Sequence, residues 1–96
     1  LPESRIRLGS SLRADSIWEG TDLYFECLID ANPPVHKIDW RHNGRLLAHN
    51  KNAGILISNQ SLVLQKVTRL AAGNYTCIGR NTGGDGESEP FYLDIL

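Results

Sequence analysis

Cys27 and Cys77 bracket a tryptophan, and a tyrosine stands two positions before the second cysteine in GNYTCIGRN, residues 73–81. Trp40 follows Cys27 by thirteen positions. In an extended chain, side chains two apart share a face, so Tyr75 and Cys77 point the same way. A chain of 96 residues buries a modest core, and a covalent staple then matters. As a disulfide, the two cysteines close a loop of roughly 50 residues, worth about 4 kcal/mol in the chain-entropy model. That is a large share of the roughly 5–15 kcal/mol that holds a typical domain. Two buried free thiols in a reducing compartment are the alternative. Two cysteines this far apart form neither a CxxC redox motif nor a thiolate zinc site.

The rest of the chain alternates with period two in short runs, with no helical periodicity. RIRL and SIWEG come first, with a turn at Glu19-Gly20-Thr21. LYFECLI puts Leu23, Phe25, Cys27 and Ile29 on one face, and DANPP ends it because proline cannot donate to a ladder. KIDWR places Ile38 and Trp40 on one face and Lys37, Asp39 and Arg41 on the other. HNG turns the chain into RLLA; GILIS and SLVLQ flank a tight turn at Asn59-Gln60. TGGDGES reads as a flexible hairpin tip and FYLDIL as the closing strand. About eight short strands with a turn signal about every 8–12 residues predict an all-β sandwich. Cys27 and Cys77 then bridge the two sheets and Trp40 fills the space against them. Tyr75 buries its ring and returns its hydroxyl to the backbone near Leu70 or Ala71, a tyrosine corner. Leu64, Val67 and Leu70 are expected to pack that corner.

At WEG, Cys27, Trp40, the NG before Leu47, LVLQKV, GNYTC, and Asn81 with Gly84, the chain resembles the immunoglobulin superfamily, most closely its I-set. The resemblance implies an immunoglobulin-like β-sandwich of two antiparallel sheets in a Greek key, formed by residues 1–96 as one domain. One departure is visible: Ala71 stands where the family usually has an aspartate, so the usual ion pair at that corner is missing. More narrowly, residues 52–88, and within them ISNQSLVLQ and GDGES, are similar to an immunoglobulin domain of the Sidestep family of insect neuronal receptors. That similarity implies a type I plasma-membrane protein with tandem immunoglobulin domains, acting in axon guidance or synaptic partner choice, with Beaten-path-like immunoglobulin proteins as partners. The segment opens at Leu1 and stops at Leu96 just after an apolar run, which fits a piece of a larger ectodomain.

No enzyme is legible. His36, His42 and His49 lack compact ligand spacing and read as solvated strand ends. GGDG has the composition of a phosphate loop without the following helix or lysine. Asp85 and Glu87 would hold calcium only weakly there. Ten basic against eleven acidic residues give no footprint for nucleic acid or an acidic membrane, and no cofactor or small-molecule substrate is implied. No apolar run approaches the roughly 20 residues needed to span a bilayer, so the domain itself stays outside the membrane. Asn59-Gln60-Ser61 and Asn74-Tyr75-Thr76 are acceptor motifs for N-linked glycans and favour secretion. Two roles remain. The outward face with Asp39, Arg41, Ile78 and Tyr92, beside Lys37 and Arg80, and the loop at Asn32, Pro33 and Pro34, can bind another protein. Alternatively the domain is a spacer between neighbouring domains of its own chain.

Overall fold

The computed structural model describes residues 1–9, 13 and 16–96. Nine strands among them form two layers. One sheet runs β1 (Glu3–Leu8), β2 (Leu23–Asp30), β6 (Ser61–Leu64), β5 (Ile55–Ser58). The other runs β4 (Arg45–Leu46), β3 (Lys37–His42), β7 (Gly73–Asn81), β8 (Gly84–Glu87), and β9 (Phe91–Leu93) also pairs with β7. All these pairings are antiparallel. Chain-order neighbours β2 and β3 lie in different sheets, as do β6 and β7, which makes the Greek-key crossing.

The alternation read along β2 holds: Leu23, Phe25 and Cys27 are buried, while Tyr24 points to solvent. Cys27 on β2 and Cys77 on β7 are disulfide-bonded across the layers, with Cα atoms 6.1 Å apart. Trp40 is paired with Cys77 in the β3–β7 ladder and is fully buried, its ring centroid 6.4 Å from that of Phe25. Ile17, Leu62, Leu64, Val67, Tyr75, Leu93 and Ile95 complete this core. The Trp40 indole N–H finds no hydrogen-bond partner among the described residues, which marks the site as packed for volume.

Tight turns fall where the turn residues stand. Asn43 and Gly44 both adopt positive φ between His42 and Arg45, and Asn59 adopts φ 42° between Ser58 and Ser61. Three expectations change. The tip expected over TGGDGES contracts to Thr82-Gly83, and GDGE is strand β8, paired with Ile78 through Asn81. Glycine is required there because a Cβ on Gly86 would lie 1.8 Å from the Pro2 carbonyl oxygen, where β1 closes against β8. The closing strand FYLDIL shortens to β9; Pro90, which has no N–H to donate, lies in the gap between β8 and β9, and Ser88 bridges that gap: its hydroxyl accepts from Cys77 N at 3.0 Å and its N–H donates to Cys77 O at 2.8 Å. SIWEG reduces to one parallel bridge, Ile17 to Ile95, leaving Trp18 exposed.

Candidate functional site: the corner and the outward face of the β3–β7–β8 sheet

The connection from β6 to β7 is the corner. A single 3-10 turn, Arg69–Ala71, is opened by the Thr68 hydroxyl accepting from Leu70 N at 3.3 Å. The Tyr75 hydroxyl donates to Ala71 O at 2.5 Å. Its ring stacks on Phe25, with centroids 5.2 Å apart, and burial pushes its phenol above the ordinary range. A second latch was not legible in the sequence. The His42 ring lies parallel to Tyr75 with centroids 4.4 Å apart, and Nε2 donates to Ala72 O at 2.8 Å. Two successive carbonyls are thus held by two stacked rings. His42 is therefore no solvated strand end, whereas His49 is exposed as expected, with its Nδ1 accepting from Ile57 N of strand β5 at 3.0 Å. Leu70, expected in the corner packing, is 89% exposed, because the turn that presents Ala71 to Tyr75 rotates Leu70 outward. Glu19 supplies an acid at this corner: its carboxylate accepts from Arg69 N at 3.3 Å and stands 3.8 Å from the guanidinium.

The outward face is closed by its own charges. Arg80 donates to Asp39 at 2.8 Å and also pairs with Asp85. Lys37 stands 3.9 Å from the same Asp39. Hydrogen bonding to Asp39, helped by the nearby charges of Asp85 and Asp39, outweighs desolvation and holds the Arg80 guanidinium more firmly protonated than usual. Arg41 reaches Glu87 at 3.1 Å, and the Thr76 hydroxyl donates to the other oxygen of Glu87 at 2.6 Å. Asp85 and Glu87 are each spent on an arginine, which argues against the calcium reading. Among the described residues no group of three or more His, Cys, Asp or Glu is placed to hold a metal ion.

Ile78 corrects an expectation. It does point outward, but it is only 3% exposed. Its ladder partners are Asp39 and Glu87, and its same-face neighbours on β7 are Thr76 and Arg80. Arg80 joins Asp39 and Asp85, and Glu87 joins Arg41 and Thr76, so a polar network surrounds the buried isoleucine. It cannot serve as a contact anchor without breaking that network. Tyr92, at the other end of the face, is 62% exposed. Asp39 and Arg41 are part-buried in the network. Asn59 and Asn74 are both exposed. At the loop end, Asn81 is buried: its amide donates to Pro33 O at 2.8 Å and its oxygen accepts from Gly83 N at 2.8 Å. The proline loop is thus fastened to the β7–β8 turn.

Residues 6–81 match the family model described as immunoglobulin domain. The chain belongs to the immunoglobulin-domain family. That family is a non-enzymatic adhesion and recognition module. Over 72 residues this immunoglobulin domain is 39% identical to Protein turtle homolog B of Rattus norvegicus, covering 73% of this chain and 5% of that protein. Over 85 residues it is 32% identical to Hemicentin-1 of Mus musculus, covering 88% of this chain and 2% of that protein. The chain thus spans a twentieth or less of these relatives. The crystal structure of the mouse nectin-like molecule 4 full ectodomain superimposes with a TM-score of 0.78 at 22% identity, over 99% of this chain and 30% of that one, a likeness of fold.

Proposed function

We propose that this immunoglobulin domain is an extracellular module of a multi-domain cell-surface receptor, serving cell–cell recognition and adhesion as a structural spacer rather than as the ligand-binding unit. The observation that carries the spacer reading is the self-closed outward face. Asp39, Arg41, Arg80, Asp85 and Glu87 already satisfy one another. A partner's charges would have to displace those bonds, and polar groups that end imperfectly paired weaken an interface. The middle of the face also lacks an exposed apolar residue, because Ile78 is buried; exposed Leu46 and Tyr92 stand toward its edges.

The similarity to turtle homolog B and the fold of an adhesion-type ectodomain support the receptor reading. The disulfide supports an oxidising compartment. The small share of each relative that the chain spans supports one domain, residues 1–96, within a tandem array that packs against its neighbours. ISNQSLVLQ, now the β5–β6 hairpin, and GDGES, now strand β8, carry the finer assignment. It is a type I plasma-membrane receptor of the Sidestep type, in axon guidance or synaptic partner choice, with Beaten-path-like partners. Exposed Asn59 and Asn74 are its proposed N-glycan sites.

Direct binding through Asp39, Arg41 and Tyr92 is the second reading, favoured by the exposure of Tyr92. Binding of the isolated domain and of the full ectodomain to a panel of Beaten-path-like ectodomains separates the two. The spacer reading expects binding by the full ectodomain alone; equal affinity of the isolated domain overturns it.

A further inference from the structure

We infer that Tyr92 is the stacking platform for the first sugar of a glycan on Asn74, an inference that rests on the extracellular reading above. Asn74 and Tyr92 are directly opposed in the β7–β9 ladder. Their inward neighbours are Tyr75 on one strand and Phe91 and Leu93 on the other, so both side chains stand on the outward face. Directly opposed residues in an antiparallel pair have Cβ atoms about 4.5–5.5 Å apart. A sugar attached to the Asn74 amide nitrogen therefore begins within reach of the phenol ring.

Three further observations single out this pair. First, Tyr92 is uncommitted. The Tyr75 hydroxyl is bonded to Ala71 O, and the Tyr24 hydroxyl lies 2.9 Å from Ser61 Oγ. The Tyr92 hydroxyl and ring have no hydrogen-bond or ring partner among the described residues. Second, Asn74 is held rigidly. Its N–H donates to Asn43 Oδ1 at 2.9 Å, and its carbonyl accepts from Asn43 N at 2.8 Å. Third, the chemistry of the two faces matches. A pyranose ring presents one face of C–H bonds, and a tyrosine offers an apolar body with a polar tip. Asn59 differs: it stands in the turn between Ser58 and Ser61 with no ladder partner, and the hydroxyl of the nearby Tyr24 is taken by Ser61 Oγ.

The modification itself is a group transfer. The Asn74 amide nitrogen bonds to the anomeric carbon of a diphosphate-activated N-acetylglucosamine donor. The anomeric C–O bond breaks, the diphosphate leaves with the bonding pair, and the nitrogen gives up one proton. With the sugar seated, Tyr92 is covered, and the outward face loses its remaining exposed aromatic anchor.

The test uses protein secreted from eukaryotic cells as wild type, Tyr92→Ala, Asn74→Gln and the double variant. Intact mass and peptide mapping read occupancy. Proton NMR of the glycans reads stacking, because sugar protons over an aromatic ring shift upfield. The expected result is an occupied Asn74, with an upfield shift of its first sugar that is lost in Tyr92→Ala, and an Asn59 sugar signal that does not change. Unmodified Asn74 in secreted protein overturns this inference while leaving the extracellular reading intact. Failure of secretion, with both thiols reduced, overturns both. An occupied Asn74 whose sugar signals are the same with and without Tyr92 overturns the platform.

Discussion

Tyr75, His42 and Trp40 show how differently single residues hold this domain. Tyr75→Phe removes one hydrogen bond and keeps the ring between Phe25 and His42, so a loss of about 1 kcal/mol is expected in a folded protein. Trp40→Ala empties the core beside the disulfide and should cost about 3–5 kcal/mol, close to unfolding for a domain of this size. Urea midpoints measure both, and equal shifts would contradict the assignment of corner and core. The buried phenol adds a pH test. Burial raises the Tyr75 pKa in the fold, so the neutral form is favoured there. Its contribution is fully present below the ordinary tyrosine range and falls as pH rises above it. Alkaline loss of stability should therefore be shallower in Tyr75→Phe. Parity along β7 makes Tyr75 and Cys77 legible in the sequence. It could not reveal His42, because the stack depends on the register that sets His42 opposite Tyr75. Nor does parity reveal cover: Ile78 faces outward yet is buried, and its cross-strand neighbours Asp39 and Glu87 are ion-paired to Arg80 and Arg41 around it.

Among the elements, β8 is the one that composition conceals. Glycines in TGGDGES satisfy every turn rule, but each meets a different demand in the fold. Gly84 takes φ 133° at the turn exit, and Gly86 lacks a Cβ because the Pro2 backbone lies there. Gly86→Ala should prise β1 from β8 and cost about 1–3 kcal/mol, as an overpacked site does. Gly83→Ala, where a Cβ would meet only the Asn81 side chain at 3.3 Å, should cost less. Thermal or urea unfolding of the two variants ranks them, and a harmless Gly86→Ala would contradict the β1–β8 closure. The hairpins at Asn43-Gly44 and Asn59-Gln60 are legible because left-handed backbone selects asparagine and glycine locally. The interruption at Pro90 is half legible: the proline says that the ladder breaks, but only the fold shows Ser88 repairing it.

For the whole molecule, the covalent link between the layers and the closed outward face decide both stability and role. Reduction of Cys27–Cys77 should cost up to about 4 kcal/mol. Native protein denatured in alkylating agent should gain no mass before reduction and two alkyl groups after it; two alkylated thiols without reductant would contradict the disulfide. Short alternating strands with regular turn signals make the sandwich legible in the sequence, and the cysteine, tryptophan and tyrosine spacing fixes its bridge, filler and corner, because each of those residues has one geometric task. The role of the face was not legible, since it depends on which charges meet across three strands. The most direct test of the spacer reading is partner affinity of the full ectodomain carrying Asp39→Ala, Arg41→Ala and Tyr92→Ala together, against the unaltered ectodomain. The expected result is an affinity unchanged within error, with the triple variant folded. A loss of roughly tenfold or more, about 1.4 kcal/mol, would contradict it and assign the face to the partner.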